Sequence, residues 1–208
     1  MSDAEITMLT AAVNKSRHYL EYGAGDSTKL AARVTTVSDI TSVESDPVFI
    51  SSHLSGDADI QAATQSGRLR FLIADIGPTG VWGCPIDRSK AHLWPNYTLC
   101  PYLHSYNPDL ILIDGRFRVA CALTAALQSP DATILIHDYR KRRCYHILER
   151  FFKIEARVDS LVQGRRIAKL DEDAARRLLN VYLYSPEDLS STRRARLGRF
   201  VKQRLFKR

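Results

Sequence analysis

The segment HYLEYGAGDS, residues 18–27, decides the fold of this 208-residue chain. His18 to Tyr22 has the aromatic and apolar character of a strand, and Gly23-Ala24-Gly25 follows at once. Leu30, Ala31 and Val34 then recur along one helical face. Strand, glycine turn and helix open a βαβ unit. The glycines supply unusual dihedrals and let a ligand approach the backbone, while Ser27 or Asp26 can cap the helix.

Outward from this turn the same alternation continues. Ser2-x-x-Glu5 fits a capping box, and Ile6, Leu9 and Val13 place a helix behind it to about residue 15. A second strand at 39–44 ends at Ser45-Asp46-Pro47, where Asp46 can cap and Pro47 can open another helix. Further strands are expected at 69–75, 109–114 and 132–137, with helices at 118–127 and near 143–152. Two β-like stretches, 153–158 and 165–170, flank Gln163-Gly164, and a helix near 172–183 covers them. Strands alternating with helices predict an α/β chain with a mostly parallel sheet covered on both faces. Two strands in succession predict an antiparallel hairpin at one edge.

Composition excludes several classes. With 45% apolar and 25% charged residues, the chain can close one ordinary core. Its longest apolar runs fall far short of the ~18 residues that span a bilayer, and its first residues lack the core of a secretory signal, so a soluble cytoplasmic chain is expected. Four cysteines without a Cys-x-x-Cys pair suggest reduced thiols rather than a zinc ribbon or disulfide framework. The net charge of +7 is concentrated at one end. Of the 30 basic residues, eight lie at 193–208 with no acid among them, leaving 22 against 23 acids in the body. The chain therefore divides into a nearly neutral domain, residues 1–185, and a basic amphipathic tail, residues 186–208. In the tail Leu189, Leu197, Phe200, Val201 and Leu205 form an apolar stripe. A partner subunit or an anionic membrane surface suits that tail, giving a membrane-peripheral location, and nucleic acid is the less favoured partner.

In an open parallel sheet, ligands sit beyond the carboxyl ends of the strands. Those ends carry Glu21 with Gly23 and Gly25, then Glu44, Asp75, Asp114 with Gly115, and His137 with Asp138. Glu44 follows the turn at about the ~20-residue spacing at which a carboxylate accepts the two hydrogen bonds of a ribose diol. Together, Glu21-Tyr22-Gly23-Ala24-Gly25, Glu44, Asp75 and Asp109-Leu110-Ile111-Leu112-Ile113-Asp114-Gly115 resemble the class I S-adenosylmethionine-dependent methyltransferases over residues 15–170. With Leu135-Ile136-His137-Asp138-Tyr139, the pattern is most similar to small methyltransferase-like proteins related to the O-methyltransferases.

The resemblance implies a Rossmann-like three-layer sandwich with a seven-stranded sheet, one strand antiparallel, and S-adenosylmethionine as cofactor. The cofactor's methionine would lie over the glycine turn, its ribose on Glu44 and its adenine near Asp75 and Ile76. Glu21, Gly23, Gly25, Ser27 and Asp114 complete the implied cofactor set. Ser27 replaces the family's third glycine, and no acceptor-specific motif is present. A nicotinamide-dependent oxidoreductase is the nearest enzyme alternative, but Thr28 stands where its Gly-x-Gly-x-x-Gly turn needs a small residue for close helix packing.

The acceptor is expected to be a small anionic molecule or a glycan. Asp138 or His137 could take a proton from it, or could merely cap a helix and bond a neighbouring backbone. Arg116, Arg118 and Arg140 form a basic rim at the same strand ends, either solvated or suited by their forked donors to an anion. The connection at 76–108 is too long and too aromatic for an ordinary loop, so Trp82 is expected on a lid or acceptor wall, with plain packing the alternative. A magnesium site on Asp114 and Asp138 would need a third oxygen ligand that the sequence does not display, so no metal is assigned. The alternative from another class is a methyltransferase-like binding protein without catalysis that acts through its basic tail.

Overall fold

The computed structural model describes residues 1–104 and 106–186. Its strands are β1 (His18–Tyr22), β2 (Asp39–Glu44), β3 (Leu69–Ile73), β4 (Leu110–Ile113), β5 (Thr133–Ile136), β6 (Phe152–Val158) and β7 (Leu161–Arg166). They form one sheet in the order β3-β2-β1-β4-β5-β7-β6. It is parallel from β3 through β5, and β7 runs antiparallel to both neighbours. The helices are α1 (Asp3–Val13), α2 (Asp26–Arg33), α3 (Pro47–His53), α4 (Ala58–Gln65), α5 (Pro95–Leu99), α6 (Arg118–Gln128) and α7 (Glu172–Tyr182). This is the expected Rossmann-like sandwich.

Two apolar layers explain why β4, Leu-Ile-Leu-Ile, has no polar side: all four residues are buried. Leu20, Tyr22, Ile111 and Ile113 pack with α6 and with Ala175 and Tyr182 of α7. Tyr19, Leu110 and Leu112 face Leu9 and Val13 of α1, Ala31 and Ala32 of α2, and Ile60 and Ala63 of α4. Local signals set the helix starts. Ser2 and Glu5 form both halves of the capping box, and Asp46 accepts from Val48 N and Phe49 N ahead of Pro47.

The hairpin differs from its sequence reading. β7 begins at Leu161 rather than Arg165, and the chain reverses at Asp159-Ser160, so Gly164 lies within the strand. There a Cβ would stand 2.6 Å from the carbonyl oxygen of Lys153, beside a register shift between Ile154 and Ala156. Gly164 is thus a site of close strand approach, not a turn. The segment expected as a helix near 143–152 is a tighter 3-10 turn, Arg143–Arg150. The basic stripe of the tail falls at 187–208, outside the described residues.

Candidate functional site

The glycine turn joins two strand ends. Gly23 has φ +96°, and a Cβ there would lie 2.7 Å from the Cα of Gly115, so the β1 and β4 turns touch through bare backbone. Beneath them Glu21 is fully buried. Its carboxylate accepts from Tyr19 OH at 3.0 Å, Ser27 Oγ at 2.8 Å, Ser42 Oγ at 2.8 Å and Thr28 Oγ1. Burial raises its pKa against those four donors. Glu21 therefore fastens the turn from below. Ser27 serves Glu21 rather than capping α2, whose N-cap is Gly25. Thr28, also buried, accepts the Gly25 N–H at 2.9 Å.

Above the turn the site is more open. Nothing lies within 4 Å of a Cβ placed on Gly25. Glu44 ends β2 with one carboxylate oxygen heavily used: Oε1 accepts from Ser45 N at 2.6 Å, Asp46 N at 3.0 Å and Ser45 Oγ at 3.2 Å. Among the described residues Oε2 accepts only Ala24 N, at 3.2 Å, and so ties the β2 end to the glycine turn. Asp75 is exposed and accepts from Gly77 N at 2.9 Å. The side chain of Ile76 is buried in the core, which leaves its backbone to meet an adenine.

A charged cluster occupies the ends of β4 and β5. His137 Nδ1 lies 2.9 Å from Asp114 Oδ1, and its Nε2 lies 3.3 Å from Glu5 Oε2. The hydrogen bond to Asp114, with the charges of Asp114, Asp138 and Glu5, raises the His137 pKa against burial. Glu5 also accepts from Ser2 N, Ser160 N and Ser160 Oγ. Burial alone would lift this carboxyl, yet these donors and His137 bring it down to about 2.

Arg118 is buried and donates to the carbonyls of Gly115, Asp114 and His137. It pairs with Asp114 at 3.0 Å and with Asp138 at 3.4 Å. It is a clasp between two strand ends and not the rim arginine the sequence suggested. Asp138 has φ +60° and also pairs with Arg142 at 3.2 Å. Burial opposes its ionisation, but Arg118, His137 and Arg142 outweigh that and lower its pKa. A carboxylate so held is a weak proton acceptor, and both ring nitrogens of His137 are engaged. These contacts disfavour both expected bases.

The remaining expected acceptor residues are dispersed. Arg140 is exposed and lines a 670 Å³ cleft with Lys141, Glu5, His137, Asp138 and Ser160, which Arg116 does not line. Trp82 is 84% exposed at the tip of a loop, with φ +60°. That loop nevertheless reaches the site: a Cβ on Gly83 would lie 3.1 Å from Ser45 Oγ and 3.8 Å from Glu44 Oε1. The later aromatics pack instead. Trp94 and Tyr97 are buried, and Tyr106 donates to Tyr19 O at 3.1 Å. Among the described residues no group of three or more His, Cys, Asp or Glu could hold a metal ion, and no helix is long and apolar enough to cross a membrane.

Sequence reading missed Glu5, Ser160 and Tyr97. The capping box accounted for Glu5 by itself, and nothing local linked it to Ser160. Tyr97 carried only a composition signal, the aromatic richness of its loop.

No family profile and no curated protein matches the chain. Among solved structures, a methyltransferase-like protein from Silicibacter pomeroyi DSS-3 matches at 31% identity and TM-score 0.76, covering 89% of this chain and 96% of that one. More distant are the N-methyltransferase NodS from Bradyrhizobium japonicum WM9, at 15% identity and TM-score 0.46 over 78% of this chain and 94% of that one, and a ribosomal protein L11 methylase from Lactobacillus delbrueckii subsp. bulgaricus, at 11% and 0.46 over 80% and 81%. Sheet order and the antiparallel β7 define a class I S-adenosylmethionine-dependent methyltransferase fold. The chain belongs to the methyltransferase-like family of the Silicibacter protein.

Proposed function

We propose that the protein binds S-adenosylmethionine across the ends of β1 and β2 and transfers its methyl group to an oxygen or nitrogen of a small anionic molecule or a glycan. The observation that carries this reading is Glu44 bonded to the glycine turn through Oε2, which keeps a second lone pair for a ribose hydroxyl, beside the unobstructed Gly25. Gly23 and Gly25 would accept the cofactor's amino-acid end, Glu44 its ribose, and Asp75 with the backbone of Ile76 its adenine. The bound cofactor supplies an electrophilic sulfonium methyl.

The chain's own task is alignment, because methyl transfer is an in-line displacement. Removing an acceptor proton would fall to Asp138, whose ion pairs lower its basicity, or to His137, whose two ring nitrogens are already engaged. An acceptor that is already nucleophilic at neutral pH fits that limitation. The same contacts favour a second reading, a binding protein of this fold without turnover. In either case, residues 186–208 would bring the domain to an anionic membrane or a partner subunit.

Titration calorimetry with S-adenosylmethionine and S-adenosylhomocysteine tests the reading. Binding of both, followed by methyl transfer in a screen of nucleotide sugars, sugar acids and small phenols, supports the enzyme. Binding without transfer supports the second reading, and absence of binding removes both.

A further inference from the structure

The 670 Å³ cleft opens between the end of β5, the first turn of α1 and the reversal from β6 to β7, and Arg140 and Lys141 both line it. Both residues are exposed, and neither makes a hydrogen bond or ion pair among the described residues. The acids of the cleft are placed differently. Asp138 is held by Arg118 and Arg142, and Glu5 by His137 and Ser160. Asp159, 2.6 Å from Ser2 Oγ, is the lining carboxylate that has no cation among the described residues. Arg140 and Asp159 also line a second cleft, of 310 Å³, with Tyr139, His146 and Val162, so the two clefts meet at Arg140. His146 is exposed, and its ring stacks on that of Tyr139 at 5.1 Å.

Two cations without partners on the wall of a cleft favour an anion supplied from outside. A phosphate monoester carries about −1.5 to −2 charges at pH 7 and offers three acceptor oxygens. The forked guanidinium can take two of those oxygens side by side, and the ammonium the third as a point charge. A carboxylate, with a single charge, would leave one of the two cations unmatched. We propose that Arg140 and Lys141 bind the phosphoryl group of a phosphate monoester whose organic part lies in the adjoining cleft against His146. That this ester is the methyl acceptor rests on the methyltransferase reading, which it deepens. His137, on the cleft wall, bonds Asp114, the neighbour of Gly115, so the cleft stands one strand beyond the seam of the β1 and β4 turns.

Titration calorimetry on the full chain tests the site with phenyl phosphate, inorganic phosphate, benzoate and phenol, each with and without saturating S-adenosylhomocysteine. Phenyl phosphate should bind more tightly than the other three, and equally in both conditions. Arg140→Gln and Lys141→Gln should each weaken it about tenfold. His146→Ala should bring it down to the affinity of inorganic phosphate. Asp159→Asn should strengthen it by removing an opposing charge, and Arg143→Gln, which removes an exposed charge outside both clefts, should leave it unchanged. Should a variant not fold, Arg140→Lys and Lys141→Met give the same comparison. Binding that survives at positions 140 and 141, or that falls equally with Arg143→Gln, belongs to diffuse positive charge and overturns the site. So does a protein that binds neither phosphate. Inorganic phosphate held as tightly as phenyl phosphate overturns the ester, and displacement by S-adenosylhomocysteine places the probe in the cofactor site and overturns the proposal. A protein that binds phenyl phosphate in the expected pattern but not S-adenosylhomocysteine keeps the site and removes the methyltransferase reading.

Discussion

The hydroxyl of Tyr97 lies where a side chain at Gly115 would begin. The aromatic connection is thereby pinned into the seam between the β1 and β4 turns, and glycine at 115 is a steric condition for that fit. Gly115→Ala should destabilise the protein by about 1–3 kcal/mol, the usual range for overpacking. Removing the hydroxyl with Tyr97→Phe should recover part of the loss. Urea unfolding of the two single variants and the double variant measures this coupling, and additive losses would mean the two positions do not interact.

Glu44→Ala should weaken S-adenosylhomocysteine binding about ten- to a hundredfold, as expected for a charge-assisted contact worth ~1.5–3 kcal/mol. Since Glu44 also accepts from the backbone N–H groups of Ala24, Ser45 and Asp46, a stability loss of about 1–2 kcal/mol should accompany it. Calorimetry and urea unfolding on one preparation report both effects. Unchanged affinity would falsify the placement of the ribose at this strand end.

The cluster around His137 should shape stability on both sides of neutrality. A raised histidine pKa gives stability that is full below about pH 6.5 and lost as pH rises through the raised value. The Glu5 carboxyl, brought down to about 2, gives the opposite edge: its contribution is present above about pH 4.5 and lost as pH falls toward 2. In urea midpoints measured against pH, His137→Gln should flatten the alkaline slope and Glu5→Gln the acid one. If the His137→Gln protein keeps the wild-type alkaline slope, the histidine's contacts do not hold this corner together.

Asp138→Asn separates a general base from a structural anion. A base acting on the acceptor contributes ~10²–10⁴ to rate. Because Asp138 is paired with Arg118 and Arg142, the larger expected effect is on stability, with turnover reduced less than tenfold once the protein is folded. A rate loss above a hundredfold with an unchanged unfolding midpoint would restore Asp138 as the base.

A chain ending at Ser185 should fold and bind cofactor as the full chain does. Tyr182 and Leu183 complete the layer over α6, and the sheet is closed by β7 before them. Size-exclusion behaviour and a melting curve check this. Precipitation or a lost dimer would show that the tail belongs to the fold or to an interface.

The alternation of elements and the glycine turn were legible because each is a local pattern. Residues 18–27 contain strand, turn and helix start, and Asp46-Pro47 announces its helix within two positions. Contacts across the sheet were not legible. Arg118 reads as one more surface arginine until Asp114 and Asp138 are found beside it. The hairpin was shifted because Gly164 signals a turn in sequence, while in space it answers to Lys153. For the candidate site, the position of Glu44 beside the glycine turn could be read from spacing. The occupation of His137 by Glu5 could not, since these residues lie on elements that meet only when the sheet is complete.

That last contact also bears on how the chain reaches its native state. Glu5 receives the N–H and hydroxyl of Ser160, and Ser2 Oγ donates to Asp159 at 2.6 Å, so α1 takes part of its polar pairing from the last hairpin. During synthesis the first helix emerges long before that hairpin exists. Bringing ends so far apart in sequence together is slow, because loop closure must precede the contacts that reward it. α1 should therefore lock late, after the parallel strands have assembled, leaving the corner around His137 the last part of the molecule to take its final form.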